Sequence, residues 1–538
     1  TVTSAPVTIH VDNPVPSSGP VYNLGADVIL SGSQVLSYAG TPNNPCTIQG
    51  NGYQIRSSSG FTGILNIAHC RIRALGTATT PAINVTAGGN GAIQLTGNVF
   101  ETFGKVAIAA NDQATAVVRG NEFRENTLVP VGSQPANTST QTVPVFQATG
   151  NSSAQQYFQG NNIGLSTVLF DRTRNWLIGG NTDADSNILM GVRCGFLISG
   201  SSNMVLRGNY SQHNYPHRFS QGQNFELLGS GFLVEHNVIR NSSWSVRGMG
   251  GEFRYNLVDQ GGNSHAAMQA PMSNTQIHHN IFVYSVSQTL YSPDSVLTLL
   301  YNVDNVAFRN NVLDGGGAYM GFYGSPVAVH SGSFLGSFRN NAVFNFASLA
   351  GGPALAGALG ESTSSQPARL RYSDYNAFYN PQAPNRVNYG LSVVGKTPGS
   401  AGYGLHDAGG FNGQADPRFT QPTAIPFPFR AEEIWTRTKR VSDVLAAYRT
   451  RYTPASGSPL LGTGDPQDGA GGNIGAIGNN ESADQFGRFG SGTPTPQLPI
   501  IASFSATPAI VQAGQATTLH WSVTGATALS IAPAPGSV

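Results

Sequence analysis

The sequence predicts an all-β fold, a parallel β-helix solenoid. Three observations carry the prediction: an internal repeat, a period-two alternation within each repeat, and a composition rich in glycine and poor in charge. The string apolar–x–x–Asn–x–apolar recurs, complete or with its last position altered, as LTGNVF, VRGNEF, FQGNNI, IGGNTD, LRGNYS, VEHNVI, FRYNLV, IHHNIF, FRNNVL and FRNNAV. Its aligned asparagines are Asn98, Asn121, Asn161, Asn181, Asn209, Asn237, Asn256, Asn280, Asn311 and Asn341. Their spacings are 23, 40, 20, 28, 28, 19, 24, 31 and 30 residues, and the 40 is expected to hold a long loop or one further rung.

The alternation makes these repeats strands. Three residues before the Asn every rung is apolar: Leu95, Val118, Phe158, Ile178, Leu206, Val234, Phe253, Ile277, Phe308 and Phe338. Two residues before it none is a large apolar residue, and two residues after it eight of ten are apolar. That in–out period belongs to a strand and not to a helix. Short strands repeating every ~20–30 residues coil into a solenoid whose rungs pair in parallel. The Asn column is expected at a turn, where Asn tolerates a left-handed backbone and its amide bonds the rungs above and below.

Composition bounds the rest. Of 538 residues 66 are Gly, 39% are hydrophobic and 10% are charged, too apolar for disorder and too uncharged for a long helical surface. No run of about 18 apolar residues is present, so no membrane span is expected. Net charge +1 gives no electrostatic case for nucleic acid. The chain starts at Thr1 without a basic, apolar leader, so an exported form is expected to have lost or omitted its signal peptide. Cys46 and Cys70 lie 24 residues apart, about one rung, which fits a disulfide; buried thiols, with Cys194 as the third, fit equally.

The Asn ladder with GNxF-type rungs resembles the pectin-lyase-like family of right-handed parallel β-helices, over about residues 30–350. The segment CTIQGNGYQIRSSSGFTGILNIAHCRIRALG (46–76) reads as its first rungs. Residues 1–490 are then a β-helix with an N-terminal cap and a C-terminal closing segment. A single helix is predicted over Arg430 to Tyr452, and 452–478 resembles the closing element of bacterial surface β-helix proteins. A Pro/Thr linker (491–499) leads to 500–538, which resembles the start of a bacterial immunoglobulin-like domain with Trp521 in its second strand. Such a sandwich needs about 100 residues, so this one is incomplete.

Ionisable residues concentrate on the central rungs. Six of the eleven histidines lie between 213 and 279: His213, His217, His236, His265, His278 and His279. Arg207, Arg218, Arg240, Arg247, Arg254, Glu226, Glu235, Glu252 and Asp259 fall within 201–280, which marks a candidate cleft. The outward position predicts that Arg207, Glu235, Arg254, His278 and Arg309 stack as one column, with Glu235 held ionised between two arginines. That column reads as a track for a polyanionic sugar, with Arg254 or His278 near the reacting unit, or as a salt-bridged ladder offsetting like charges. Glu252, His265 and the loop bearing His213, His217 and Arg218 complete the candidate binding set. His278 and His279 are adjacent, so on a strand they face opposite ways and do not share a metal; His279 is expected in the turn stack.

The family resemblance suggests two chemistries. Polysaccharide lyases remove the proton beside a uronate carboxylate, using a base and a cation, often calcium or Arg, on that carboxylate. The stretch NSSWSVRGMGGEFRYNLV (241–258) resembles the arginine segment of pectate lyases, which implies Arg247 as base; it reads equally as a turn or surface arginine. The proline beside that family's arginine is absent, no aspartate cluster offers calcium a site, and no other cofactor is evident. The Lys/Arg pair of alginate and chondroitin lyases is absent too, since these rungs hold no lysine. Polygalacturonases carry an NTD motif, matched by Asn181-Thr182-Asp183, which implies Asp183 and Asp185 as an alternative acid/base pair. Their later motifs are missing, and the pair also reads as a turn with two solvated carboxylates.

These readings leave a secreted or cell-surface carbohydrate-active or carbohydrate-binding protein, lyase-like, with an acidic polysaccharide as partner. Two alternatives stand beside it. One is a non-enzymatic adhesin, filament or matrix subunit that self-assembles through residues 500–538 by strand addition. The other is a polygalacturonase-like hydrolase.

Overall fold

In a computed structural model the chain coils into a parallel β-helix. The structure describes residues 19–124, 144–164, 166–190, 194–212, 223–240, 244–259, 268–283, 298–300, 303–319, 327–330, 332–347, 359–362, 368–381, 388–420, 427–478, 500–507 and 518–524. Each coil lays down three short strands, and the sheets are numbered 1 to 3 in the order a coil meets them. A central coil runs Gln223–Ser230 in sheet 1, Phe232–Glu235 in sheet 2 and Val238–Arg240 in sheet 3. The next coil, Trp244–Met249, Gly251–Arg254 and Leu257–Asp259, pairs with it in parallel strand for strand. Among the described residues sheet 3 holds fourteen strands, from Val21–Asn23 to Ala377–Tyr379.

The apolar column fills the core as its period requires: all ten residues from Leu95 to Phe338 are 0% exposed. Burying each such side chain stabilises the coil by roughly 1.5–3 kcal/mol. Cys46 and Cys70 face each other in register on sheet 3, Cα to Cα 4.4 Å, and are joined as a disulfide. Phe146–Thr149 pairs with the sheet 1 strands before and after it, so the 40-residue spacing is one coil and hides no extra rung.

The ladder differs from the sequence reading in three ways. Asn181 is not in it; Asn187 is. Asn187 Oδ1 accepts from Asn161 N and Nδ2 at 3.0 Å, and its Nδ2 donates to Asn209 Oδ1 at 2.8 Å. A 3-10 turn, Asp183–Asp185, inserts between strand and turn here and moves the ladder position six residues on. The ladder also runs one rung further, to Asn376, and Asp407 accepts the backbone N–H there. Finally, the left-handed residue is the one before the Asn, for example Gly120 (φ 65°), His236 (56°) and Asn310 (52°). Turning on that residue aims the next amide inward, where each Asn Nδ2 bonds a carbonyl of the preceding coil.

The C-terminal segment departs most from expectation. Two helices replace one, α1 (Ala431–Trp435) and α2 (Val441–Arg451), broken where Arg437 turns left-handed (φ 59°). Residues 427–478 lie lengthwise along the outside of sheet 3, which carries apolar residues on both faces. Tyr210, Val238, Leu257, Ile281 and Val312 on that outer face pack with Ile434, Val444, Tyr448, Tyr452 and Ile474 in a second core. Arg437 anchors this strap by donating to the carbonyls of Gly160 and Ser186 and to Asn162 Oδ1. The end of the main core is met by Tyr389, Leu391, Val393 and Tyr403.

Of the last segment, Ile500–Thr507 and Thr518–Thr524 form an antiparallel pair with Phe504 opposite Trp521. The linker 491–499 lies outside the described residues. No described helix is long and apolar enough to cross a membrane.

Candidate functional site

The predicted outward column forms on sheet 2. Strand register places Arg207 beside Glu235, Glu235 beside Arg254, Arg254 beside His278, His278 beside Arg309 and Arg309 beside Arg339. Parallel rungs stand about 4.8 Å apart, so each side chain reaches its neighbour. Glu235, buried at 5% side-chain exposure, binds the Arg207 Nε through one oxygen and the Arg254 Nε through the other, the latter at 2.7 Å. Burial alone raises the Glu235 pKa, but Arg207, His236 and Arg254 together outweigh it and hold the carboxyl below its ordinary value. Glu235 is ionised, as its position between two arginines predicts.

Glu252 precedes Arg254 by two residues and shares its face. Its Oε1 accepts from Arg254 Nη1 at 2.9 Å and meets His278 Nε2 at 2.7 Å. The His278 contact lowers the Glu252 pKa, and Arg254 adds to this against the opposing effect of burial. Arg254 is itself raised: burial opposes its charge, and Glu235 and Glu252 more than restore it. Guanidinium, carboxylate and imidazole thus form one connected network, Arg207–Glu235–Arg254–Glu252–His278.

His278 and His279 do not face opposite ways. His278 ends its strand and His279 turns left-handed (φ 56°), which brings the rings to 4.9 Å and the two Nδ1 atoms to 2.6 Å. One of those nitrogens donates and the other accepts, so the pair shares a single proton between them. His279 does stand in the turn stack: His236, Tyr255 and His279 occupy the same left-handed position on consecutive rungs, with ring centroids 5.2 Å apart at each step. A bulky side chain there costs about 1–2 kcal/mol against glycine, and packing beneath the strap offsets it, since all three are buried. The sequence carries this signal. Other rungs use Gly97, Gly120, Gly160, Ser186, Gly208, Asn310 or Asn340 before the ladder Asn, Tyr375 precedes the last one, and three consecutive central rungs use His236, Tyr255 and His279.

Both ends of the column are bounded. Upstream, Arg207 Nη1 donates to Asn181 Oδ1 at 2.5 Å, and Asp185 in the turn after Asn181 takes Arg119 of an earlier rung at 2.7 Å. Downstream, Arg339 is taken by Asp468 at 2.7 Å, Gln467 at 3.1 Å and Asp465 at 3.4 Å, all on the C-terminal strap. Between these limits a cleft of about 230 Å³ opens at Arg309, walled by His279, Asn310, Asn340 and the strap at Asp465–Asn473.

The remaining candidates scatter. Asp183 accepts from Ser442 N at 2.9 Å and Ser442 Oγ at 2.5 Å, and so holds the start of α2. Asp185, 1% exposed, accepts from Arg119 at 2.7 Å and Thr182 Oγ at 2.8 Å. Neither is a solvated carboxylate, with side-chain exposures of 16% at Asp183 and 2% at Asp185. The central charges are not one cleft. Arg240 and Asp259 pair on sheet 3 beneath the strap, with the Arg240 guanidinium 3.2 Å from the Phe427 ring. Arg247 lies on sheet 1, in register with Glu226 and Gln269. His213, His217, Arg218 and His265 lie outside the described residues. Among the described residues no three His, Cys, Asp or Glu gather to hold a metal ion.

The fold defines the class of molecule, a parallel β-helix with a charged network on sheet 2. No family model and no curated protein matches the sequence. Among solved structures the chain is similar to the periplasmic alginate epimerase AlgG at 11% identity and TM-score 0.36, over 66% of this chain and 78% of that one. A point mutant of the same epimerase aligns at 10% identity and TM-score 0.31, over 66% and 76%.

Proposed function

We propose that the protein is a secreted or cell-surface carbohydrate-active protein that takes an acidic polysaccharide on the outer face of sheet 2. The observation that carries this is the Arg207–Glu235–Arg254–Glu252–His278 network. Its arginines stay partly exposed, at 23% and 30%, while Glu235 and His278 beneath them are buried at 5% and 2%. Exposed guanidinium edges suit bidentate recognition of a uronate carboxylate. The buried partners hold those edges in place, which is how a binding surface is preorganised.

The same network suits lyase-type chemistry. Proton removal beside a carboxylate needs a cation on that carboxylate and a base within reach. Arg254 supplies the first. The second falls to Glu252, 34% exposed on the same face, while His278, 2% exposed with Glu252 on its Nε2 and His279 on its Nδ1, orients that carboxylate from below. Arg247 remains a second candidate base, one sheet away. The test is ultraviolet absorbance of the unsaturated product on incubation with pectate, alginate and glycosaminoglycans, beside affinity electrophoresis in gels containing each polymer. One polymer is expected to retard the protein, and Arg254→Ala is expected to release it. Lack of retardation by every polymer, with no absorbance and no new reducing ends, would overturn the reading.

A further inference from the structure

The strap reaches upstream along sheet 3 as far as Asn162, whose Nδ2 donates to Trp435 O and whose Oδ1 accepts from Arg437. Asn162 is in register with Glu122, and from that rung back the outer face of sheet 3 carries a charged cluster. Three guanidinium groups there converge on one carboxylate. Glu101 Oε2 accepts from Arg73 Nε at 2.5 Å, and its Oε1 from Arg71 Nη1 at 3.2 Å, with Arg124 Nη1 at 3.7 Å. Arg124 Nε donates to Glu122 at 2.7 Å. Glu101 lies low, at 16% side-chain exposure, while the three arginines are open at 46%, 47% and 48%. Arg73 spends only its Nε on a described residue and Arg71 only one Nη, which leaves most of their N–H groups to the solvent side.

The backbone is shaped to gather these groups. Register slips by one residue at Glu101, so that Arg73 faces Thr102 and Glu101 is the extra residue of a β-bulge. The slip is undone at Ala74, which turns left-handed (φ 47°) inside the strand Cys70–Leu75. Bulges re-aim side chains next to active sites, and left-handed non-glycine residues cluster at ligand clamps.

The chemistry of the cluster selects its ligand. Three forks around one point match a group with three terminal oxygens, whereas a carboxylate, with two, is matched by a single fork. Three guanidinium charges against Glu101 and Glu122 leave one net positive charge. A sulfate ester has three terminal oxygens and one negative charge; a phosphate monoester carries about 1.5–2. Thr47 beside Arg71, and Gln49 and Thr102 beside Arg73, are half-buried neutral groups on the same face that suit sugar hydroxyls.

We infer that Arg71, Arg73 and Arg124 form a second ligand site, on sheet 3, which takes a sulfate ester of an acidic polysaccharide. Glu101 holds the three guanidinium groups from below, and their outer edges meet the sulfate oxygens. The site shares no residue with the sheet 2 network, and the two are tested apart.

The experiment is affinity electrophoresis in gels containing dextran sulfate, dextran phosphate, unsubstituted dextran or pectate, which yields a Kd for each polymer. Arg71→Gln/Arg73→Gln removes two forks, and Arg71→Lys/Arg73→Lys keeps the charge without the fork. Arg369→Gln/Arg371→Gln removes the same charge from exposed arginines elsewhere and controls for net charge. All these positions are exposed, so urea midpoints are expected to stay near the parent's. Dextran sulfate is expected to retard the parent and Arg254→Ala alike, and unsubstituted dextran to retard neither. Arg71→Gln/Arg73→Gln is expected to weaken dextran sulfate binding about tenfold, the lysine pair to weaken it less, and the control pair to leave it unchanged. Equal weakening by the control pair, equal binding by all variants, or tighter binding of dextran phosphate than of dextran sulfate would overturn the site. No retardation by dextran sulfate would overturn it as well, while pectate retardation lost in Arg254→Ala would still leave the sheet 2 surface standing.

Discussion

Glu235 shows how one residue sets the electrostatics of the face. It stands between Arg207 and Arg254, and without its charge two guanidinium groups would face each other across a rung. Replacing it by Gln is expected to cost about 1–3 kcal/mol of unfolding free energy, read from urea titrations. Its depressed pKa fixes the sign of the pH dependence: the stability it contributes is present above the ordinary value of 4.5 and is lost as pH falls below it. The Glu235→Gln protein should therefore lose less stability on acidification than the parent, and an equal loss would contradict the assignment. The column itself was legible in the sequence, because the aligned Asn residues fix register and register fixes which side chains meet. The contact between His278 and His279 was not, since alternation holds only inside a strand and His279 has already turned out of it.

At the level of the element, the Asn ladder and the docking of α2 rest on hydrogen bonds that single substitutions remove. Asn237 is fully buried; it accepts from Asn209 N and Nδ2 and donates to Leu206 O and Asn256 Oδ1. Asn237→Ala is expected to cost about 3 kcal/mol. Asn181→Ala, outside the ladder, should cost less than about 1 kcal/mol, because among the described residues only Arg207 bonds its side chain. Equal costs in chemical denaturation would contradict the ladder assignment. The rung at Asn181 misled because IGGNTD carries the motif while the next six residues carry the geometry: the Asp183–Asp185 turn postpones the ladder to Asn187. That same turn gives Asp183 its partner. Asp183→Ala is expected to weaken α2 by about 1 kcal/mol, seen as faster amide exchange across Val441–Arg451 with the coils unchanged.

Across the whole molecule, the strap and the coil bury ionisable groups between them, and this makes their union sensitive to pH. Asp314 is fully buried, and burial raises its pKa to about 6, although Tyr452 Oη–H, Gly316 N–H and Asn345 Nδ2 donate to it. A raised carboxyl contributes stability that is present below its ordinary 3.8 and lost as pH rises through about 6. Asp314→Asn should remove this slope, on the order of 2–3 kcal/mol between pH 4 and pH 7, measured by denaturation at each pH. The strap was only half legible. Helical spacing in 430–452 shows an apolar stripe, but no local pattern says whether the stripe covers an open end or a flank. The outward apolar residues of sheet 3 hold the answer. Tyr210, Val238, Leu257, Ile281 and Val312 stand at strand positions where a solvated face would be polar.

The strap also decides what the surface of sheet 2 offers, since it closes the column at Arg339 and leaves the span from Arg207 to Arg309 open. The central claim is that an acidic polysaccharide lies on that span. Hydrogen–deuterium exchange with and without the uronate polymer that retards the protein tests this most directly. Protection is expected at Phe232–Glu235, Gly251–Arg254 and Gln276–His278, on sheet 2, and is expected to vanish in Arg254→Ala. Protection confined to sheet 1 around Trp244–Met249, or to the first coils, with sheet 2 unchanged, would contradict it.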